Sequence, residues 1–254
     1  MRAEDMICLE KVCKDYDNPD RKGSIEALKD FNLSVRRGEF VSLLGPSGCG
    51  KTTLINIIAG FIKPTSGKVY FDGQKVSGVD RSRIVVFQEY NLFDWKTVKE
   101  NIEFGLKTKG LPRSMRIEIS RNLIRMVNLA GFEDLYPFEL SGGMKQRVAL
   151  ARALAVNPQC ILMDEPLGSL DSQMREKLQV EIMSLWHKTK KTILMVTHDI
   201  EEAIFLSDRV AVISKETNNI GKIIDIDIPR PRSIEVKDMP LFQEIKRTLR
   251  EAIS

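Results

Sequence analysis

The sequence predicts an α/β fold, in which helices flank a sheet, and three observations carry this prediction. Short apolar runs with strand character recur at 39–44, 160–163 and 192–197. A segment with helical periodicity follows the first of these runs at 53–59. The residues at about 91–138 show only helical periodicity, so we expect a helical segment inserted between strands of one α/β core.

The segment 45–52 fits the pattern Gly-x-x-x-x-Gly-Lys-Ser/Thr and lies between a strand-like run and a helix-like one. Its glycines let backbone N–H groups converge on phosphate oxygens at the start of a helix. Lys51 is placed to reach the β- and γ-phosphates of a nucleoside triphosphate, and Thr52 offers a hydroxyl to Mg²⁺. The residues that we expect to form this nucleotide cradle are Gly45, Pro46, Ser47, Gly48, Cys49, Gly50, Lys51, Thr52 and Thr53.

The composition is that of an ordinary globular protein of 254 residues, with 43% hydrophobic and 29% charged residues. Lysine and arginine exceed the acids by only four and are scattered along the chain. This distribution argues against a nucleic-acid surface. No apolar segment has the length of a signal peptide or a membrane span, so we expect a cytosolic chain whose four cysteines are reduced thiols.

The chain begins with alternating apolar residues at 7–12 and 27–35, which predict two strands of a first sheet around a turn at 17–23. Tyr16 follows the first of these strands, where its ring is available to stack on a purine; a half-exposed edge tyrosine is the alternative. A later apolar run, 84–87, ends at Gln88, whose amide oxygen can reach a metal ion or its water.

Two acids end the strand-like run at 160–163. The carboxyl end of a central strand lies beside the ligand crevice of an α/β sheet, so Asp164 and Glu165 are predicted to face the nucleotide. Asp164 suits a place around Mg²⁺ just outside its direct ligands, and Glu165 is placed to orient or deprotonate a water that attacks the γ-phosphate. His198 follows the run 192–197 in the same way, and we expect it to contact the γ-phosphate or the attacking water.

The segment 140–147, Leu-Ser-Gly-Gly-Met-Lys-Gln-Arg, predicts a second anion site. Ser141 can cap the helix that starts there, and Gly142 and Gly143 leave backbone N–H groups accessible. A single bound nucleotide does not need two phosphate-binding helix starts on the same chain. We therefore expect this segment to bind a nucleotide held by another copy.

Taken together, the cradle at 45–52, Gln88, the 140–147 segment, Asp164-Glu165 and His198 resemble, in order and spacing, the ATP-binding cassette ATPases that drive ABC transporters. The resemblance extends from Ile7 to about Ile226. It implies a P-loop NTPase core, which is a mixed sheet with flanking helices, together with an antiparallel β subdomain and an inserted α-helical subdomain at about 91–157. We expect an ATP-binding cassette at 1–230 and a short tail at 231–254.

The resemblance also implies a head-to-tail pair of cassettes, as a homodimer or a heterodimer, with ATP and Mg²⁺ between the cradle of one copy and Ser141 and Gly143 of the other. The residues that it implies for catalysis are Lys51, Glu165 and His198. The residues that it implies for binding Mg²⁺ are Thr52, Gln88 and Asp164. Gly168-Ser169-Leu170-Asp171 looks like the loop through which the two cassettes touch, and Tyr16 matches the aromatic residue that stacks on adenine.

Four further segments, 86–95, 142–148, 206–210 and 229–232, look like the nitrate, sulfonate and taurine importer branch. Asp94 departs from that branch, because proline commonly precedes the tryptophan, and Leu167-Gly168-Ser169 replaces Phe-Gly-Ala. The implied activity is ATP hydrolysis that powers uptake of a small solute such as nitrate, a sulfonate, taurine or bicarbonate. The implied partners are transmembrane permease subunits and an external solute-binding protein, at the cytoplasmic face of the membrane.

Three alternatives stay open from the sequence. A soluble cassette acting on nucleic acid or ribosomes usually carries paired cassettes or long coiled insertions, and this chain has neither. A scaffold that binds ATP without hydrolysing it is disfavoured by the presence of both Glu165 and His198. Export is the third, because the membrane partner sets the direction of transport.

The segment 90–95 is expected to receive a permease helix, or to pack the helical segment onto the core.

Overall fold

The computed structural model describes residues 4–17, 23–214 and 217–253, which form two sheets and the helices around them. The smaller sheet is antiparallel, with strand order β2-β1-β4-β5. Its strands are β1 (Asp5–Asp17), β2 (Ser24–Arg36), β4 (Ser66–Phe71) and β5 (Gln74–Lys75). The larger sheet has the order β10-β9-β3-β8-β7-β6. Its strands are β3 (Phe40–Leu44), β6 (Arg83–Val86), β7 (Cys160–Asp164), β8 (Thr192–Thr197), β9 (Arg209–Ser214) and β10 (Asn219–Asp225).

Five strands of the larger sheet run parallel, and only β10 is antiparallel to its neighbour. The central strands end level with one another, since Leu44 of β3 pairs with Thr197 of β8, and Asp164 of β7 pairs with Val196. Residues that follow β3, β7 and β8 therefore emerge together at one edge of the sheet.

Residues that alternate along the central strands enter two different hydrophobic clusters. Ile161 and Met163 pack in one cluster, and Leu162 packs in the other. This alternation explains why these strands read as continuous apolar runs, because both faces of the sheet are covered. The helix α1 (Lys51–Ala59) and the smaller sheet cover one face.

The helices on the other face include a group inserted between β6 and β7. That group is α2 (Val98–Thr108), α3 (Arg113–Met126) and α4 (Gly142–Ala155), with a 3-10 turn at Pro137–Glu139. The sequence between β7 and the end of the chain adds α5 (Ser172–Thr189), α6 (Ile200–Leu206), a 3-10 turn at Ile234–Asp238 and α7 (Pro240–Ile253). The helical segment predicted for 91–138 thus contains α2 and α3, whereas the boundaries 91–157, 1–230 and 231–254 remain predictions of subdomain organisation.

The carboxyl-terminal part of the chain is bound to the core by Arg232, which is only 3% exposed. Its guanidinium donates hydrogen bonds to five backbone carbonyls, those of Ile204, Phe205, Ser207, Ile226 and Ile228. Three of these carbonyls lie at the end of α6, where a helix leaves acceptors without partners. Burial lowers the pKa of Arg232 to about 10.

The first strand is longer than the sequence predicts, and this corrects the position of Tyr16. Strand β1 continues to Asp17, so Tyr16 lies within the strand and pairs with Ile25 of β2. The polar ends of this hairpin carry no apolar alternation, and only their pairing makes them strands. Most of the predicted turn at 17–23 falls outside the described residues. Within the described part of the chain, no helix is both long and apolar enough to cross a membrane.

We expect Leu249→Ala to lower the free energy of unfolding by about 2–5 kcal/mol, because a fully buried leucine leaves a cavity when truncated. Leu241→Ala is the matched control on the same helix, since Leu241 is 39% exposed. Urea unfolding of both variants measures the difference. Equal stabilities would contradict the packing of α7 on the core.

Candidate functional site

The predicted nucleotide cradle is the turn between β3 and α1. Gly48 and Gly50 both have left-handed backbone conformations, with φ of 82° and 86°. A Cβ atom at position 50 would lie 2.3 Å from the carbonyl oxygen of Ala27. Only glycine fits there, and the close approach of the smaller sheet to this turn depends on it.

Lys51 begins α1 and holds its charge inside the turn. Its side chain is 5% exposed, and Nζ donates hydrogen bonds to the carbonyl oxygens of Gly45 and Pro46, each at 2.8 Å. The thiol of Cys49 is 4.0 Å from the same nitrogen, and burial raises its pKa. The turn therefore presents a positive charge at the start of a helix, where anions bind.

Thr52 and Asp164 place two oxygen atoms side by side. The hydroxyl of Thr52 donates to Oδ1 of Asp164 at 3.2 Å, which joins the start of α1 to the end of β7. Burial raises the pKa of Asp164, and this hydrogen bond opposes the rise. A hydroxyl and one carboxylate fit Mg²⁺, which binds few protein ligands and takes phosphate oxygens and water for the rest. Among the described residues, no cluster of three or more His, Cys, Asp or Glu side chains could hold a metal ion by itself.

Glu165 lies between Lys51 and His198. Its Oε1 is 3.8 Å from Nζ of Lys51, and its Oε2 is 2.9 Å from Nδ1 of His198. The residue has a positive φ of 44°, and its N–H donates to the carbonyl of Val196 on the neighbouring strand. A non-glycine residue held in this sparsely populated conformation is a common feature of functional sites. His187, in contrast, is exposed on α5.

Gln88 and Tyr16 flank this group without joining it directly. Nε2 of Gln88 lies 3.3 Å from the position of a Cβ atom at Gly168, whose N–H donates to the carbonyl of Glu165. Tyr16 is 39% exposed, and its hydroxyl is 3.4 Å from Oγ1 of Thr53 at the start of α1. The ammonium of Lys14 lies 5.1 Å from the centre of the Tyr16 ring.

The 140–147 segment belongs to a different part of the molecule. The hydroxyl of Ser141 accepts a hydrogen bond from the N–H of Met144 at 3.3 Å and so caps α4. A Cβ atom at Gly143 would lie 2.5 Å from Sδ of Met174, so the turn packs tightly on α5. In the described ranges, no hydrogen bond or ion pair joins Ser141, Gly142 or Gly143 to the nucleotide cradle.

The loop after β6 also lies against the start of α4 and the 168–171 loop. The hydroxyl of Tyr90 is 2.8 Å from Oγ of Ser169, and it would lie 3.2 Å from a Cβ atom at Gly142. Three segments therefore interlock here: the loop after β6, the start of α4 and the 168–171 loop before α5.

Arg175 and Glu202 belong to none of the sequence motifs, but they lie next to the predicted site. Glu202 is 3% exposed, and its carboxylate accepts a hydrogen bond from Oγ1 of Thr197 at 2.7 Å. Its other oxygen has no hydrogen-bond partner within the described residues. The signal available in the sequence was Asp199, three residues before Glu202, which suits the cap of a short helix.

Comparison with protein families places this geometry among known ATPases. Residues 28–168 match the family model described as ABC transporter. The chain is 53% identical to an uncharacterised ABC transporter ATP-binding protein of Methanocaldococcus jannaschii, over 82% of this chain and 78% of that protein. It is 44% identical to the nitrate import ATP-binding protein NrtD of Synechocystis, over 87% and 86%. It is 48% identical to the taurine import ATP-binding protein TauB of Roseobacter denitrificans, over 78% and 74%.

Solved structures give the same picture. A dimeric ATP-binding cassette, in a post-hydrolysis state bound to ADP and Pi, is 37% identical and superposes with a TM-score of 0.77. The match covers 88% of this chain and 100% of that one. The protein cbiO1 of Clostridium perfringens, part of the ABC transporter complex cbiONQ, is 26% identical with a TM-score of 0.79, over 98% and 97%.

We expect the stability of Glu202→Gln, relative to the unchanged protein, to rise with pH. Burial raises the pKa of Glu202 from 4.5 to about 7, and the hydrogen bond from Thr197 opposes the rise. The folded chain thus holds this proton more tightly than the unfolded chain, so that the free energy of unfolding falls as the pH rises between those two values. Glutamine cannot ionise, and we expect the variant to gain about 1–3 kcal/mol relative to the unchanged protein between pH 5 and pH 8.

Urea unfolding at both pH values measures this gain. Glu244→Gln is the control, since Glu244 is exposed on α7. A difference between Glu202→Gln and the unchanged protein that does not vary with pH would show that Glu202 ionises normally in the folded chain.

Proposed function

The chain belongs to the ABC transporter family and is an ATP-binding subunit with ATPase activity, and on that premise we propose that it powers import of a small solute. The solutes that we propose are anions and related compounds such as nitrate, sulfonates, taurine and bicarbonate. The observation that carries the catalytic part of the proposal is the position of Glu165 between Lys51 and His198.

In this proposal ATP lies in the cradle 45–53, with its adenine against Tyr16. Lys51 exchanges its bonds to the carbonyls of Gly45 and Pro46 for bonds to the β- and γ-phosphates. Thr52, Asp164 and Gln88 would hold Mg²⁺, which would supply positive charge beside the phosphates. The adjacent hydroxyl and carboxylate of Thr52 and Asp164 support this assignment.

Glu165 accepts the proton of the water that attacks the γ-phosphate, and the oxygen of that water forms the new bond to phosphorus as the bond to ADP breaks. His198 contacts Glu165 at 2.9 Å, which supports a role in orienting Glu165 and in binding the γ-phosphate. Because Glu165 is 3.8 Å from Lys51 and 2.9 Å from His198, a water held by Glu165 would lie beside the two groups proposed to contact the γ-phosphate.

We also propose that the functional unit is a head-to-tail pair of cassettes, as a homodimer or a heterodimer. Ser141, Gly142 and Gly143 would complete the nucleotide site of the partner, because helix starts bind phosphates and, within the described residues, these three have no bond to the cradle of their own chain. The pair would sit at the cytoplasmic face of the membrane and drive two permease subunits, supplied with solute by an external binding protein. The nitrate and taurine import proteins among the relatives support this assignment.

We expect Glu165→Gln to lower ATP turnover by about 10²-fold or more, since a positioned base is lost. ATP binding should persist, and the variant should accumulate as an ATP-bound dimer, which light scattering after size-exclusion chromatography detects. Glu118→Gln, on the exposed face of α3, is the control and should hydrolyse ATP normally. Near-normal turnover of Glu165→Gln would refute its role.

The same dimer tests the partner site. In the Glu165→Gln background, Ser141→Arg should bind ATP but stay monomeric, whereas Ser114→Arg, at an exposed position of α3, should still dimerise. Dimers of the Ser141→Arg variant would show that position 141 does not face the partner's nucleotide.

The transport assignment is tested by purifying the chain from detergent-solubilised native membranes and identifying the proteins that accompany it. We expect a permease with several membrane spans. Reconstituted with its binding protein in liposomes, the complex should take up nitrate, taurine, a sulfonate or bicarbonate only with ATP, and not with Glu165→Gln. Recovery of ribosomal or nucleic-acid proteins without a permease would contradict the transport assignment.

A further inference from the structure

In the described part of the chain, the ring of His198 makes few direct contacts. Its side chain is 56% exposed, and the contact that orients it is the one to Oε2 of Glu165 at 2.9 Å. Where the ring points therefore depends on the backbone on either side of it, at Thr197 and Asp199. The contacts of these two neighbours decide how firmly His198 is held.

Three hydrogen bonds close a ring around that backbone. Oγ1 of Thr197 donates to the carboxylate of Glu202 and accepts from the N–H of Asp199 at 3.0 Å. Oδ1 of Asp199 in turn accepts from the N–H of Glu202 at 3.0 Å. Because each of the three residues is bonded to the other two, the turn that carries His198 is held as a unit on the first turn of α6.

Arg175 connects this unit to the 168–171 loop. One terminal nitrogen of its guanidinium is 3.5 Å from Oδ2 of Asp199, and the other donates to the carbonyl oxygen of Leu170 at 3.0 Å. Gly168 and Ser169 of the loop are exposed, whereas Leu170 is buried. The planar, forked guanidinium holds the carboxylate and the carbonyl through two different nitrogens in a fixed relation, whereas a lysine would hold both through a single nitrogen.

We propose that Arg175 is a positioning residue that couples the 168–171 loop to the backbone of His198. This inference rests on the proposed pairing of two cassettes, in which the 168–171 loop faces the partner. When the partner displaces that loop, Arg175 transmits the change to Asp199 and so to His198. A cassette without its partner would then hold His198 differently from a paired one, and the two nucleotide sites would act cooperatively.

Two measurements test the proposal, and the first does not depend on activity. The chain contains only two histidines, His187 and His198. Selective labelling of histidine therefore gives two sets of ring signals in NMR spectra, which His187→Gln assigns. In the isolated chain we expect Arg175→Ala to shift the signals of His198 and to leave those of His187 unchanged.

The second measurement is the ATP dependence of hydrolysis. For Arg175→Ala we expect the cooperativity in ATP binding, a coupling that is ordinarily about 5- to 150-fold, to be lost and kcat to fall, with KM changed by less than about twofold. Arg175→Lys should not restore cooperativity. Asp199→Asn retains the helix cap but removes the charge, so it should reproduce the effect, and the double variant should be no worse than either single one.

Lys237→Ala is the matched control. Lys237 also bridges α5 and α6, through Glu176 at 3.1 Å and Glu201 at 3.9 Å, but in the described part of the chain it has no bond to the 168–171 loop or to the residues beside His198. If Lys237→Ala gives the same changes, or if the His198 signals of Arg175→Ala match those of the unchanged protein, the proposal is wrong. If the unchanged protein neither pairs nor hydrolyses ATP, the proposed function fails, while the histidine signals still decide whether Arg175 positions His198.

Discussion

The candidate site depends on one constraint, which is that the parallel strands β3, β7 and β8 end at the same level. Because Leu44, Thr197 and Asp164 lie at the ends of neighbouring strands, the residues after them meet without any long side chain reaching across the molecule. The cradle, Glu165 and His198 come from points far apart in sequence, but each lies within a few residues of a strand end. A shift of one strand by one residue would move its functional side chain away from the others.

A buried positive charge, that of Lys51, lies at the edge of the sheet where we propose that phosphates bind. Lys51 is buried, and its ammonium is bonded to two carbonyls and lies 3.8 Å from one carboxylate. Glu165 balances part of this charge, and a phosphate that replaced the two carbonyls would be attracted more strongly in this region of low dielectric than in water. Burial also disfavours the charge of Asp164 and raises the pKa of its carboxyl group, and a bound cation would offset this cost.

Local patterns in the sequence predicted the strands that carry the motifs, because the central strands are apolar on both faces and each motif adjoins one of them, whereas β5, β9 and β10 were not predicted. The order of strands could not be predicted in the same way, since it arises from pairing between distant segments. The same limit applies inside the site. Glu202 reads as an ordinary helical acid and Arg175 as an ordinary basic one, and only folding brings them to Thr197 and Asp199. The left-handed backbone of Glu165 also has no signal in the sequence.

The tight packing of Gly143 on Met174 and the bond between Tyr90 and Ser169 have a mechanical consequence. These contacts join the loop after β6, the start of α4 and the 168–171 loop, so we expect the three segments to move together. A push on the chain at Tyr90 must either break its bond to Ser169 or carry the 168–171 loop along with it. At position 143 even a methyl group would require the Met174 side chain to shift, and so would loosen the contact between the start of α4 and α5.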